Sequence, residues 1–186
     1  MRGIVFHQKI DIAIGFKFTT HRRTKKREAL NMLAAAKALE RVPEGKSSWK
    51  PHERSMELGY LAALVAKMPS WIAMLVHQDE LDFARRSESS FVPKTQLTST
   101  DLLRLLEESI AEARSALQQT SDEHLMTRFR FRVGERVVSE EPRHVMIQDS
   151  VFNHLSHHRG QLTVYLRLAG ASVPAIYGPS ADEGKF

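Results

Sequence analysis

The stretch from Thr98 to Gln119 leaves this chain little freedom in what it can become. Thr98 is followed three residues later by Asp101, the spacing of a capping box, and Leu102, Leu106, Ile110, Ala113 and Leu117 then recur on one helical face. A stripe of that length must be buried against other apolar surface, and the rest of the chain supplies helices to bury it. Glu28 to Arg41 is rich in strong helix formers and is stopped by Pro43 and Gly45. Ser47 to Arg54, with Trp49, Pro51 and His52, is a connecting loop. A second helix runs from about Ser55 to Lys67, with Leu58, Leu61, Val65 and Met68 at helical spacing. Pro69 kinks or restarts it, and Ser70 to Phe83 forms a third helical segment.

Arg85 to Gln96 has the Ser and Pro content of a loop. Phe129 to Val133 alternates apolar and basic residues, and Gly134-Glu135 precedes Val137-Val138, which reads as a short hairpin or extended excursion. The last helix begins at Pro142 and ends at Ala169, with Gly170 as its stop and residues 171–186 as a tail. The pattern predicts an all-α domain over residues 28–186, an up-down antiparallel four-helix bundle with that excursion before its last helix. A chain of 186 residues that is 42% hydrophobic fills one such core.

The net charge of +5 belongs to residues 1–27, where eight Lys or Arg face a single acid, Asp11; the remaining residues hold 19 basic and 21 acidic side chains. This basic extension reads as a solvated segment, a phosphate anchor or a transit-like leader. Because the body is slightly acidic, nucleic acid is not the expected partner. Apolar runs are short: Leu61 to Ala66 ends at Lys67, and Met68 to Val76 is broken by Pro69 and Ser70. The expectation is a soluble cytoplasmic protein with no membrane segment. Cysteine is absent, which excludes disulfides, a thiolate nucleophile and thiolate metal ligands.

A metal would therefore rest on His, Asp or Glu, and the sequence Asn153-His154-Leu155-Ser156-His157-His158-Arg159-Gly160-Gln161-Leu162 concentrates three of the nine histidines. At 100° per residue His154 and His158 lie about 40° apart on adjacent turns, so both rings can reach one ion at roughly 2.0–2.1 Å. Ile147, Val151, Leu162 and Tyr165 share their stripe, which turns both inward. His157 lies about 60° to the other side and falls on the helix flank. Spacing alone leaves two readings open, a metal site or an incidental pair. His77, His124 and His144 read as helix-end or loop residues, and Trp49 and Trp71 as packing anchors. No phosphate-binding loop, dinucleotide turn or nucleophile elbow is present.

The histidine block, together with Tyr165-Leu166-Arg167 and the tail from Pro174 to Glu183, resembles the DinB-like family of bacterial four-helix-bundle proteins, distinct from the DNA polymerase of that name. Val42-Pro43, Trp49 to Glu53, Leu58 to Ala62 and Met68 to Trp71 also resemble it, so the likeness runs from about residue 28 to the end. The resemblance implies a homodimer with a divalent metal, zinc or nickel, held by three histidines. Two of them match His154 and His158, and the third belongs on the second helix, where this chain has Leu64. His52 or Glu57 are the candidate replacements. The activity implied is a thiol-dependent transferase or a hydrolase-type reaction on a small molecule or thiol. The alternative is a non-catalytic helical dimer, stress-associated or structural, that has lost its metal.

Overall fold

The computed structural model describes residues 22–85 and 96–184, so the expectations for residues 1–21 and for most of the loop after Arg85 lie outside the described residues. Helix α1 spans Arg22–Leu39, beginning earlier than the composition predicts and reaching into the basic segment. Its inward residues, Met32, Ala35, Ala36, Ala38 and Leu39, are mostly small, which lets neighbouring helices approach closely. The loop that follows does more than connect. The first N–H groups of α2 (Leu58–Lys67) have no side-chain cap, and the Trp49 and Ser47 carbonyls instead accept from the Leu58 and Gly59 N–H at 2.8 Å.

Pro69 restarts the helix without ending it. One 3-10 turn, Met68–Ser70, links α2 to α3 (Trp71–His77), with the Ser70 hydroxyl donating to the Lys67 carbonyl at 2.9 Å. The joined run Leu58–His77 is 20 residues long and apolar enough to match a bilayer, but 78% of its most apolar window is buried inside the fold. It is the core helix, packed against α4 (Ser99–Gln119) along both of its halves. In α4 the capping box forms as the sequence predicts, Thr98 Oγ1 accepting from the Asp101 N–H at 3.1 Å, and the whole stripe Leu102, Leu106, Ile110, Ala113 and Leu117 is buried.

The all-α expectation is corrected at one end of the molecule. The third helical segment stops at His77, because Gln78 turns to extended backbone, and Glu80–Asp82 forms strand β1. After a five-residue helix α5 (Asp122–Met126) come β2 (Arg128–Val133) and β3 (Arg136–Pro142), the excursion expected before the last helix. The three strands form one sheet in the order β1-β2-β3, the first pair parallel and the second antiparallel around Gly134, whose φ of 60° suits glycine. Long-range charge and hydrogen-bond pairs override helical periodicity here: Arg132 meets Glu80 at 2.7 Å, and Asp82 accepts the Gly134 N–H at 3.0 Å.

The last helical run is three pieces in one: α6 (Arg143–Ile147), a π-helical turn over Gln148–Asn153, and α7 (His154–Leu168). Its first residue, Arg143, is 2% exposed. Its guanidinium donates to the Leu75 carbonyl at 2.7 Å, to the Thr127 hydroxyl at 2.9 Å, and to the Gln78 carbonyl and the Asp79 carboxylate, and it lies over the Phe129 ring. At the other end the tail folds back over α1 and α7: Arg159 and Tyr177 both donate to Asn31 Oδ1, at 3.0 and 2.8 Å. Replacing Arg143 by Ala strands the buried Leu75 carbonyl and empties a fully buried side-chain site, so urea unfolding should show a loss of about 2–4 kcal/mol. The same change at the exposed Arg130 should stay within about 0.5 kcal/mol.

Candidate metal centre

The π-helical turn leads directly into His154, and it sets Ser150, His154 and His158 one turn apart along a single wall. That wall closes a cavity of about 410 Å³. From α2 come Tyr60 and Leu64, from α3 Trp71 and Met74, and from the sheet Leu81 and Phe131. His158 is 5% exposed and His154 is half-buried, while His157 stands in solvent with its ring centre 5.0 Å from that of His158. The two histidines that the spacing turns inward are the two that line the cavity.

The two inward rings are 4.6 Å apart, and their Nε2 atoms face each other at 2.9 Å. His158 Nδ1 meets Gln161 Oε1 at 2.7 Å, and the His154 ring hydrogen-bonds the Ser150 backbone. At that 2.9 Å distance one Nε2–H donates to the other ring's Nε2, and loss of the proton between them leaves two nitrogen lone pairs for a cation. With bonds of roughly 2.0–2.1 Å to each nitrogen, a 2.9 Å separation subtends about 90° at an ion. The donor chemistry fits a divalent cation held by two neutral imidazoles, with the outer nitrogen of His158 held by the Gln161 oxygen.

A third protein ligand is not assembled. Leu64 sits in the same cavity as the pair, 6% exposed, where its isobutyl group offers no lone pair. His52 lies in an exposed turn, its Nδ1 accepting the Arg54 N–H at 3.2 Å, and Glu57 is the half-buried residue before α2; neither lines the cavity. Among the described residues no three His, Asp or Glu side chains converge as a metal site. The other histidines do structural work: His124 bonds the Val76 carbonyl at 2.8 Å and His144 the Leu125 carbonyl at 3.2 Å, while His77 is exposed at the end of α3. Trp49 packs edge-on to Tyr165, as a packing anchor should, but Trp71 also borders the cavity, 5.8 Å from the His154 ring.

Sequence reasoning missed Tyr60 and Ser150. Both carried a signal, since each lies one turn before a residue already singled out, Leu64 and His154. Phe131 and Leu81 carried none, because the sheet brings them in from distant parts of the chain.

Burial is the main force holding the His154 and His158 pKa values below the usual 6.5, and nearby histidine charge adds to it. A depressed histidine pKa disfavours protonation in the folded state. Its contribution to stability is therefore complete above about pH 6.5 and is lost as pH falls through the folded-state values. In chelator-treated protein the urea midpoint should be level above neutrality and decline on acidification below about pH 6.5, and His158→Gln should flatten that decline.

The family model described as the DinB family matches residues 34–185. The protein YrdA of Bacillus subtilis (strain 168) is 30% identical over 112 residues, 60% of this chain and 62% of YrdA, so the chain spans less than two thirds of that relative. Two solved structures share the fold. A DinB-like protein of Bacillus subtilis, YjoA, superposes with a TM-score of 0.57 at 21% identity, covering 81% of this chain and 94% of its own. A DinB-like protein from Bacillus cereus ATCC 10987 gives 0.59 at 25% identity, covering 82% and 94%.

Proposed function

This chain belongs to the DinB family, and from that premise we propose that it is a metal-binding member whose ion rests on His154 and His158 alone. The observation that carries the reading is the 2.9 Å approach of two Nε2 atoms whose rings are fixed from behind by Gln161 and Ser150. A divalent cation, zinc or nickel, would supply Lewis acidity there and lower the pKa of a bound water or thiol. The chain's own residues do the rest. The imidazoles are held neutral and aimed, and Leu64, Trp71 and Met74 exclude water from the mouth of the pair. With two protein ligands, more coordination positions stay open than in a three-histidine site, which suits a small-molecule or thiol substrate and a transferase or hydrolase-type reaction.

Leu64 supports a second reading, a non-catalytic helical protein in which hydrocarbon fills the place of a ligand and the two histidines remain as a polar pair. Metal analysis separates the two. Untagged protein should carry close to one divalent ion per chain, and His158→Ala should lower metal affinity by at least about 100-fold. Gln161→Ala, which frees the ring without removing the ligand, should weaken it by about 10–100-fold. Leu64→His should raise affinity above that of the parent chain. Metal content that is negligible in the parent and unchanged in His158→Ala would exclude the metal reading and leave the non-catalytic one.

A further inference from the structure

The cavity in front of the histidine pair is built for one kind of occupant. Among the described residues that line it there is no Lys, Arg, Asp or Glu. Tyr60, Trp71, Phe83 and Phe131 supply aromatic surface, with Phe83 and Phe131 ring to ring at 5.4 Å. Exposure grades across the lining: Phe83 and Met56 are 44% and 38% exposed, whereas Leu64, Leu75, Leu81 and His158 are all below 7%. The cavity therefore has an apolar rim open to solvent and a buried inner end where the His154–His158 pair is the main polar feature. Its volume, about 410 Å³, lies near the small end of the roughly 300–1,000 Å³ typical of ligand pockets.

A ligand anion entering this space would exchange water for hydrocarbon and meet no cation among the described lining residues. An aromatic ring would instead gain contact on several sides, and one O–H or S–H group at its end would meet the polar edge of the His154–His158 pair. We infer that the cavity binds a compact, uncharged, predominantly aromatic molecule that turns one hydroxyl or thiol group toward the His154–His158 pair. Ionised peptide-like thiols are disfavoured, because their carboxylates would have no counter-charge among the described lining residues. This inference rests on the reading of the pair as the reactive end of the site, but its selectivity comes from the walls.

Calorimetric titration of the full chain near neutral pH with naphthol and with its carboxylate analogue, naphthoate, tests it. Both titrations are run on chelator-treated protein and again after zinc is added. In chelator-treated protein naphthol should bind once per chain and at least about tenfold more tightly than naphthoate. Met74→Trp, which fills the cavity, should weaken naphthol by at least about tenfold while the far-ultraviolet circular dichroism stays that of the parent. Equal or tighter naphthoate binding, no saturable naphthol binding, or undiminished affinity in a folded Met74→Trp protein would overturn the inference. Zinc binding without naphthol binding overturns this inference and spares the metal reading; naphthol selectivity in a protein that binds no zinc does the reverse.

Discussion

One buried guanidinium holds the sheet end of the molecule to its helices. Arg143 sits at the point where β3 becomes the last helix, and its donors are distributed among the end of α3, the turn before β2 and the loop at Asp79. A lysine could not serve there, since a single ammonium lacks the planar fork that reaches carbonyls on several sides at once. By fixing where the last helical run begins, Arg143 also fixes the position of the π-helical turn and of the histidines beyond it. The tail clamps the same run from its other end through Arg159, Asn31 and Tyr177. The site lies on the stretch between these two anchors, where both backbone and side chains are held.

Between the anchors, the chemistry is set by what surrounds two imidazoles. Burial favours their neutral form, and Gln161 holds the His158 ring from behind. What remains is a pair of convergent Nε2 atoms facing apolar walls. Leu64 lines the same cavity as the pair, and in the proposed metal site its isobutyl group adds no ligand. An open, two-histidine arrangement exchanges affinity for free coordination positions, and hydrocarbon near the ion strengthens electrostatic effects on whatever binds.

The helical part of the fold was legible because it is written locally. The capping box at Thr98, the stripe on α4 and the stop at Gly170 each depend on residues within a few turns. The same is true of the histidine pair, where the helical period alone separates His154 and His158 from His157, and Leu64 lies beside them as the family resemblance implies. The sheet was half legible. The β2–β3 excursion shows in alternation and a glycine, but β1 was hidden inside a segment that reads as helix, because its partners Arg130 and Arg132 lie about fifty positions away. Residues 1–21, which carry much of the basic extension, lie outside the described residues.

The central claim is geometric: two histidines on one helix share one ion. Crystals of untagged protein soaked in zinc, with diffraction recorded on both sides of the zinc absorption edge, test it most directly. The account predicts an anomalous peak bonded to Nε2 of both His154 and His158 at roughly 2.0–2.1 Å, with solvent completing the coordination. Rings still in hydrogen-bond contact and no peak between them, in protein saturated with zinc, would contradict it.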